Sequence, residues 1–428
     1  MIRTVVDPSL LQGLTPLAAL ERLHEQERVV CLLGGPGPGA LLQWGMQPLA
    51  LHGPDDLPRL PGRLAAARGD GWPADWQGGV LLQLDYEFPV GAWAETLPTS
   101  ACPGRCWPWR RGLRWDAAGR CRLIARDAAD RSRLLQDLQL PAPDLPAPRL
   151  REPLSPAWDA AGHHSRVERI RAAIAAGDCY LPFQARLAPG PSRDLAVFRR
   201  LITGSPAGYA CFIRDGGQSL LSHSPECFLC SDAAAWWSWP IKGTRRREPG
   251  REAALRAELQ AAVKDGAELA MIVDLVRNDL ARVARPGGVT VARPPHVIDL
   301  DYVHHLVAAV RAEARPGTRL ADLLRAAFPA GSITGAPKRA AMRLIHQLES
   351  GPRGPYCGTF GWYGSVPSGD HCALAVAIRS MIIDADGAVQ AHVGGGIVAD
   401  SDPQAEWQEV QAKLAGMARA LGADPCGA

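Results

Sequence analysis

The sequence predicts an α+β fold, and three patterns in its 428 residues support that prediction. Short apolar runs such as 29–33 and 80–84 are bounded by Gly and Pro, as strands joined by turns are. Other segments repeat apolar residues at helical spacing, for example 163–176, where the stripe stops at Gly177. Strands and helices do not alternate regularly, which disfavours a doubly wound parallel sheet.

Residues 141–156 are predicted to form a linker, because 140–156 contain six prolines among Ala, Asp and Arg. The linker separates a predicted β-rich N-terminal lobe, 1–140, from a motif-rich domain, 157–428. A chain of this length can form two lobes or one large interleaved body.

The motif-rich part contains both kinds of element. Ser401 or Asp402 can cap the last helix, and Pro403 fits its first turn. Predicted helices cover 253–283, 320–328, 338–348 and 403–421, and predicted strands cover 207–213, 289–292, 373–378 and 389–393.

Composition excludes several classes of protein. The chain is 47% hydrophobic and 21% charged, as globular proteins are. Its net charge of +3 is not gathered into a basic run, so no nucleic-acid partner is expected. No apolar run approaches the ~20 residues of a membrane helix, and the first residues lack a secretory pattern. We therefore predict a cytoplasmic protein without a membrane partner.

The 11 cysteines lack a disulfide-like spacing, which predicts free thiols. Cys227 and Cys230 form a C-x-x-C within an apolar stretch, and a buried strand is favoured there over a metal or redox site. Residues 34–39, Gly-Gly-Pro-Gly-Pro-Gly, predict a tight turn. They lack the Gly-Lys-Ser/Thr of a phosphate loop, and no Gly-x-Cys-x-Gly nucleophile elbow follows, so no glutaminase is expected in this chain.

Two acidic pairs stand one turn apart on predicted helices: Glu406 with Glu409, and Asp265 with Glu268. Lys413 follows on the face of the first pair. Such pairs can hold a hard divalent cation, and Mg²⁺ prefers a few carboxylates with water and substrate oxygens. Spacing alone favours the ordinary alternative, a solvated helix face.

Glycine-bearing segments stand beside these pairs. Gly394, Gly395 and Gly396 precede the last helix, where they could point backbone N–H groups at a carboxylate or simply end a strand. The loop 331–338, which contains Thr334, leads into a helix whose N-terminus could bind an anion or only be capped.

Lys242 stands in Pro-Ile-Lys-Gly-Thr, after a Trp-rich apolar stretch. Desolvation there would favour the neutral, nucleophilic amine. A lysine that merely reaches the surface is the alternative, and it is favoured when the motif is taken alone.

Together these segments resemble the chorismate-utilising enzymes, which include anthranilate synthase, isochorismate synthase and aminodeoxychorismate synthase. The resemblance covers about 162–414 and follows the family's order of motifs. The motifs are Ser-Pro-Glu at 224–226, Pro-Ile-Lys-Gly-Thr at 240–244, Ala-Glu at 267–268 with Ile-Val-Asp-Leu-Val-Arg-Asn-Asp at 272–279, Val-His-His-Leu-Val at 303–307, the loop at 331–338, Tyr-Cys-Gly at 356–358, Ile-Arg-Ser at 378–380, and the segment 394–413.

The resemblance implies an anthranilate synthase component I-like fold: large antiparallel β-sheets packed as a sandwich, with helices outside and the site in the cleft between the sheets. It also implies Mg²⁺ as cofactor, bound to the ring carboxylate of chorismate between Glu268 and Glu409. Asp265 and Glu406 would support the metal through water.

Substrate contacts are implied by the same resemblance. Arg379 and Tyr356 would hold the enolpyruvyl carboxylate. Glu226 resembles the general acid that protonates the departing C4 hydroxyl, and His305 resembles a residue placed over the ring. The remaining implied substrate-binding residues are Thr244, Thr334, Gly394, Gly395, Gly396 and Lys413.

Lys242 distinguishes between branches of the family, because anthranilate synthase-like sequences carry Ala at this position and aminodeoxychorismate synthases carry Lys. The implied reaction has the Lys242 amine attack C2 while the C4 hydroxyl leaves, after which ammonia attacks C4 and expels the lysine. The product would be 4-amino-4-deoxychorismate, for para-aminobenzoate and folate biosynthesis or a secondary metabolite. Whether Lys242 is a covalent nucleophile or partly blocks attack at C2 stays open.

A separate glutamine amidotransferase subunit is expected to supply the ammonia, as the other half of a heterodimer. Two rival hypotheses remain. Isochorismate or anthranilate could be the product, which the lysine at 242 disfavours. The chain could also be a non-catalytic chorismate-binding protein, which is disfavoured because every candidate catalytic and metal position is filled.

Overall fold

Two large antiparallel sheets form the body of the chain. The computed structural model describes residues 11–423 apart from 12, 35–38, 60–78, 91–102, 110, 117, 126, 174–176, 205–207, 232–234, 300–302, 350 and 367–368. The strands in that part are β1 (Arg28–Gly34), β2 (Ala40–Trp44), β3 (Leu49–Leu51), β4 (Gly79–Leu84), β5 (Gly104–Pro108), β6 (Gly112–Trp115), β7 (Cys121–Ile124), β8 (Leu150–Pro156), β9 (Gly177–Leu187), β10 (Tyr209–Asp215), β11 (Gln218–Ser224), β12 (Cys227–Ser231), β13 (Trp236–Trp239), β14 (Ile241–Arg246), β15 (Ala284–Asp299), β16 (Val303–Ala314), β17 (Thr359–Val366), β18 (Gly369–Val376), β19 (Ser380–Asp384) and β20 (Ala388–Ile397).

The helices of the described residues connect and cover these strands. They are α1 (Pro16–Arg22), α2 (Ala128–Leu138), α3 (Ala160–Ala172), α4 (Arg193–Gly204), α5 (Glu252–Ala261), α6 (Val263–Ala281), α7 (Leu320–Ala327), α8 (Lys338–Leu348) and α9 (Pro403–Leu421), with 3₁₀ turns at Pro54–Arg59 and Gly331–Ile333.

Within the described ranges, each sheet has ten strands. The first sheet has the order β7-β6-β2-β1-β10-β11-β19-β20-β9-β8. The second has the order β14-β16-β13-β12-β18-β17-β4-β5-β3, with β15 also paired to β16. β14 and β20, which carry site residues, therefore belong to different sheets.

The two sheets pack face to face, and helices cover their outer faces. Val30 and Ile213 of the first sheet share a buried cluster with Leu81 and Phe360 of the second. A second cluster joins the outer face of the first sheet to helices that include α4 and α9, and a third joins the second sheet to α6 and α7. Central strands are thus buried on both faces, which is why 29–33 is continuously apolar instead of alternating. The predicted sandwich with helices outside is confirmed.

Local capping signals also behave as expected. The Asp402 side chain accepts a hydrogen bond from the Ala405 N–H at 2.8 Å, Pro403 opens α9, and Gly422 ends it in the left-handed region at φ +82°. Because the cap fixes where the helix begins, it also fixes which residues of α9 face the glycines of β20.

Two sequence-based boundaries need correction. Residues 150–156, assigned to the linker, form β8, which pairs with β9 at the edge of the first sheet. Proline is tolerated there because an edge strand leaves donor positions unused. The limits at 140 and 156 also do not separate two bodies: β1 pairs with β10 and β4 pairs with β17, so strands from both sides are hydrogen-bonded neighbours.

The single helix expected over 253–283 is two helices, α5 and α6. Ala262, between them, has an extended backbone at φ −68° and ψ 104°. α6 keeps an apolar stripe that includes Leu269, Ile272 and Leu280 against the second sheet. The break makes residue 263 the start of a new helix, next to the acidic residues of the site.

Smaller predictions can also be compared with the structure. The Gly34 N–H donates to the Gly39 carbonyl at 2.9 Å between β1 and β2, while 35–38 of the predicted turn lie outside the described residues. Cys227 and Cys230 lie in the buried strand β12, and the cysteines whose side chains are described are free. None of the helices in the described ranges has the length and apolarity needed to cross a bilayer.

Candidate active site

A cavity that is open to solvent lies where β14, β20, α6 and the 3₁₀ turn at Gly331–Ile333 meet. Four predicted site residues line it: Lys242, Glu268, Thr334 and Gly396. β14 is the edge strand of the second sheet, and β20 lies between β19 and β9 in the first, so the cavity is lined by strands of both sheets.

The amine of Lys242 lies directly against the glycine strand. A Cβ atom built on Gly396 would stand 2.8 Å from Lys242 Nζ, so only glycine leaves the amine its present place. The charge of Lys242 acts on Glu268 and on Glu409. The sequence predicts apolar, Trp-rich surroundings for Lys242, but the structure also places carboxylates near its amine.

Glu268 and Glu409 interact with this amine and Glu406 lies beside them, and we call Glu268, Glu406 and Glu409 the carboxylate cluster. A Cβ on Gly395 would lie 3.3 Å from Glu406 Oε2 and 3.9 Å from Glu409 Oε1, so both carboxylates approach the glycine strand closely. Glu268 comes from α6, and burial raises its pKa, opposed by the charges of Lys242 and another lysine and reinforced by the two other glutamates. The cluster thus concentrates negative charge in a partly dry site.

Lysines neutralise the cluster. Lys264 Nζ lies 3.4 Å from Glu406 Oε1 and 3.9 Å from Glu268 Oε1. Lys413 Nζ lies 2.7 Å from Glu409 Oε1 and donates to the Gly394 carbonyl at 2.8 Å. Burial would raise the pKa of Glu409, but Lys413, Lys242 and Lys264 together hold it below its ordinary value.

Lysine is rare in this chain, which has 4 lysines and 43 arginines among its 47 basic residues. Three of the four, Lys242, Lys264 and Lys413, contact or face the carboxylate cluster. The fourth, Lys338, is buried beneath the loop that lines the cavity. A chain that otherwise uses arginine therefore keeps lysine at this site.

The carboxylate cluster suits Mg²⁺. No three His, Cys, Asp or Glu side chains among the described residues are grouped so that they could hold a metal ion by themselves, so water and substrate would have to supply the other ligands. Mg²⁺ commonly takes one or two carboxylates and completes its shell with water and substrate oxygens, and Glu268 with Glu409 is a donor set of that kind. A divalent cation would also relieve the like-charge repulsion felt by Glu268.

Asp265, the fourth predicted metal residue, is turned to other partners. Arg245 Nη2 lies 3.3 Å from Asp265 Oδ2, and the Asp265 side chain packs against Gly243. The structure therefore brings together Glu268, Glu406 and Glu409 and leaves Asp265 in an ion pair beside them.

His305 and Thr244 form a pair on adjacent strands. Thr244 on β14 stands opposite His305 on β16, and Thr244 Oγ1 is 2.9 Å from His305 Nδ1. Burial, together with the charge of Arg379, lowers the pKa of His305 to about 4, so the imidazole is neutral at physiological pH. Within the described residues, His305 Nε2 is buried without a hydrogen-bond partner.

Arg379 and Tyr356 lie on neighbouring turns. The Cys357 N–H, next to Tyr356, donates to the Ala377 carbonyl at 2.8 Å, which ties the Tyr-Cys-Gly turn to the chain just before Arg379. Burial alone lowers the pKa of Arg379, so no charged partner among the described residues compensates the guanidinium. An anionic group is what such a guanidinium can bind.

Tyr356 also belongs to an aromatic cluster behind the glycine strand. Its ring lies 5.3 Å from that of Tyr180 and 5.2 Å from that of His392, and Tyr180 stacks on His392 at 5.4 Å. Tyr180 lies on β9, which pairs with Gly394 of β20. β9 thus supports the glycine strand.

Glu226 lines a neighbouring cavity. That cavity shares Gly331 and Ser332 with the first, and the Glu226 side chain is buried. The predicted general acid is thus one loop away from Lys242.

Side-chain hydrogen bonds from Thr334 and Lys338 fix the loop between the two cavities. Thr334 Oγ1 donates to the Ala330 carbonyl at 3.0 Å. Lys338 Nζ contacts Asp279 Oδ2 at 2.6 Å and donates to the carbonyls of Ala327 and Pro329 at 2.8 and 2.9 Å. These bonds shape the backbone around the cavities.

Sequence reasoning missed two residues of this site. Ser332 lines both cavities, and its hydroxyl has no hydrogen-bond partner in the described part of the chain. Lys264 bridges two glutamates from different helices. A cation in the first turn of a helix is electrostatically unfavourable, and this was the available signal for Lys264.

Comparison with known proteins identifies relatives of this chain. A family model described as chorismate binding enzyme matches residues 109–419. Anthranilate synthase component 1 of Streptomyces coelicolor is 35% identical over 414 residues, which are 87% of this chain and 79% of the relative. Aminodeoxychorismate synthase of Streptomyces pristinaespiralis is 40% identical over 344 residues, 78% of this chain. The aligned region is 45% of that longer relative.

Solved structures give the same result for the fold. Anthranilate synthase component I from Streptococcus pneumoniae superimposes with a TM-score of 0.69 at 25% identity, covering 91% of this chain and 89% of that one. The family match, the relatives and this superposition agree with the motifs and with the two-sheet architecture. On this evidence the chain belongs to the chorismate-binding enzymes.

Proposed function

We propose that this chain aminates chorismate at C4, as the large component of an aminodeoxychorismate synthase. It would convert chorismate and ammonia to 4-amino-4-deoxychorismate and water. The observation that carries the proposal is Lys242: its amine reaches the cavity, lies against Gly396 and faces Glu268 and Glu409. Substrate bound in this cavity would lie beside the amine, where the amine can act as a nucleophile.

Lys242 would form a bond from Nζ to C2 while the ring double bond shifts and the C4–O bond breaks. Glu226 would give its proton to the departing hydroxyl, which leaves as water. Ammonia then bonds to C4, the double bond shifts back, and the C2–N bond to Lys242 breaks. The lysine is regenerated, and a proton from ammonia returns to the base left by Glu226.

Binding and orientation would come from charges at the two ends of the substrate. Arg379, whose guanidinium has no compensating charge, would take the enolpyruvyl carboxylate beside Tyr356. Lys413 and the N–H groups of the glycine strand would face the ring carboxylate. Mg²⁺ held by Glu268 and Glu409, with Glu406 beside them, would supply charge stabilisation as electron density moves through the ring.

Neutral His305, bonded to Thr244, would lie over the ring without adding a second positive charge. Ammonia would come from a glutamine amidotransferase subunit, and the pair would work in the cytoplasm for para-aminobenzoate and folate synthesis. These last points are proposals that follow from the reaction.

The test is incubation of the purified chain with chorismate, Mg²⁺ and an ammonium salt at mildly alkaline pH, with products identified by mass spectrometry. We expect 4-amino-4-deoxychorismate from the natural chain. Lys242→Ala should lose it or shift the products to substitution at C2. Lys242→Arg is the control that keeps the charge but lacks a nucleophilic amine, and it should also be inactive at C4.

Anthranilate synthesis is the second candidate, because the relative with the longest match reported above is an anthranilate synthase component 1. Its product would retain an amino group at C2 and lose pyruvate. Detection of anthranilate or isochorismate from the natural chain, without the C4 amine, would replace the proposed reaction.

A further inference from the structure

We propose that Lys264 is an exchangeable counter-ion of the carboxylate cluster. Its ammonium would neutralise Glu268 and Glu406 while no divalent cation is bound and would give way when Mg²⁺ enters. The inference rests on the proposed function in one respect, since that function puts Mg²⁺ at Glu268 and Glu409.

The position of Lys264 is unfavourable for its own helix. It is the second residue of α6, where the helix dipole disfavours a cation, and the helix has no side-chain cap. It also precedes Glu268 by four residues, the weaker order for a Lys and Glu pair on one helix. Local helix energetics therefore do not explain a lysine here.

The contact outside the helix does explain it. Lys264 Nζ is closer to Glu406 of α9, at 3.4 Å, than to Glu268 of its own helix, at 3.9 Å. The Glu406 side chain is 3% exposed, and a carboxylate buried to that extent is stabilised by an ion-pair partner. The ammonium stands beside the oxygens that a metal ion would use or polarise.

Lys264 is also free to leave. Its side chain is 53% exposed, whereas those of Glu406 and Glu268 are 3% and 15% exposed. The residue is a lysine in a chain that has 43 arginines. A hydrated ammonium on a flexible stem makes single, exchangeable contacts, while a guanidinium fork would bind a carboxylate in two places and hold it. Rotation of the Lys264 side chain into water would remove its ammonium from Glu268 and Glu406.

The consequence concerns metal affinity. With Lys264 in place, Mg²⁺ must compete with or be repelled by a positive charge, so the chain should hold the metal weakly. Without that charge, the glutamates should bind Mg²⁺ more tightly but repel one another when the metal is absent.

The experiment is a calorimetric titration of Mg²⁺ into the metal-free chain, without chorismate, for the natural chain, Lys264→Met and Lys264→Arg. Met preserves the length of the side chain and removes the charge. We expect Lys264→Met to bind Mg²⁺ about three- to tenfold more tightly, the range that one or two part-exposed ion pairs allow. Lys264→Arg should bind at least as weakly as the natural chain.

Thermal unfolding provides a second readout. In the metal-free state Lys264→Met should unfold at a lower temperature than the natural chain, and saturating Mg²⁺ should raise its midpoint by more. Arg256→Met, which removes a half-exposed cation from its 2.6 Å pair with Asp299, is the matched control and should leave Mg²⁺ affinity unchanged.

Equal or weaker Mg²⁺ binding by Lys264→Met would overturn the inference while leaving the proposed reaction untouched. If the natural chain binds no Mg²⁺, both the counter-ion role and the metal part of the proposed function fail. Failure of the reaction alone would appear as a different product with the same difference in Mg²⁺ affinity.

Discussion

Lysines in this molecule pair with carboxylates in two different ways. In a closed pair the lysine is buried and all its N–H donors are used, whereas in an open cluster the lysines are partly exposed. Lys338 is buried, and its three N–H donors reach Asp279 and the carbonyls of Ala327 and Pro329. Around the carboxylate cluster, Lys264 and Lys413 are half-buried and share their glutamates with other cations. A closed pair stabilises the fold, whereas an open cluster retains capacity for a substrate or a metal. The following predictions test that distinction, from the largest effect to the smallest.

Lys338→Met should destabilise the chain by about 3–5 kcal/mol, because it leaves the buried carboxylate of Asp279 without its cation. Urea denaturation measures this change. The double variant Lys338→Met with Asp279→Leu should recover most of the loss, since no buried charge then remains. A single variant as stable as the natural chain would show that the pair is not closed.

Gly396→Ala should lower the turnover rate about a hundredfold, the cost of misplacing a reacting group by about 1 Å. The new methyl group would meet Lys242 Nζ at 2.8 Å and push the amine aside. Steady-state kinetics of the ammonia-dependent reaction provide the measurement. Gly416→Ala in α9 is the control, because a Cβ there meets nothing within 4 Å, and it should retain the natural rate.

His163 is a buried, neutral side chain that can be compared with the charged lysines. It is 1% exposed, packs 5.4 Å from the Trp407 ring, and has a pKa lowered to about 4 by burial and then by His164 and Arg166. Because the folded pKa is below the ordinary 6.5, its contribution to stability is present above pH 6.5 and is lost as pH falls towards 4.

His163→Leu should therefore flatten the pH dependence of stability. Between pH 7 and pH 4 the natural chain should lose about 2–3 kcal/mol more free energy of unfolding than the variant does. Chemical denaturation at several pH values measures the difference. Parallel curves for the two chains would mean that His163 takes up its proton in the folded state.

Lys413→Met should change the free energy of unfolding by less than about 1 kcal/mol, because its pair with Glu409 is 35% and 50% exposed. If the proposed function is correct, the KM for chorismate should nevertheless rise, since that function assigns the Lys413 ammonium to the ring carboxylate. A large loss of stability with an unchanged KM would mean that Lys413, like Lys338, stabilises the fold and does not bind substrate.

Sequence patterns located elements well where the signal is local. The predicted helices at 338–348 and 403–421 begin and end at the same residues in the structure, because periodicity and, for α9, capping residues mark their limits. The break at Ala262 was missed, because neither Gly nor Pro marks it and the extended backbone there has no local signal. The edge strand β8 was missed because prolines resemble a linker until pairing with β9 is known.

The site follows the same rule. Motif spacing and family resemblance identified Glu268, Glu409 and Lys242, which the fold does bring together. The ion pair of Asp265 with Arg245, and the bridge made by Lys264, depend on how α6 approaches β14 and α9. Contacts of that kind arise from tertiary packing and cannot be derived from spacing along one helix.

The scarcity of lysine has a practical consequence for anyone who modifies this protein. Amine-directed reagents, such as fluorescent esters or the activated surfaces used to immobilise enzymes, find only four lysines in this chain. Apart from the amino terminus, the accessible amines are those of Lys242, Lys264 and Lys413, since Lys338 is buried. Acylation would therefore fall on the lysines of the carboxylate cluster, and attachment through arginine chemistry would be needed to leave that cluster unmodified.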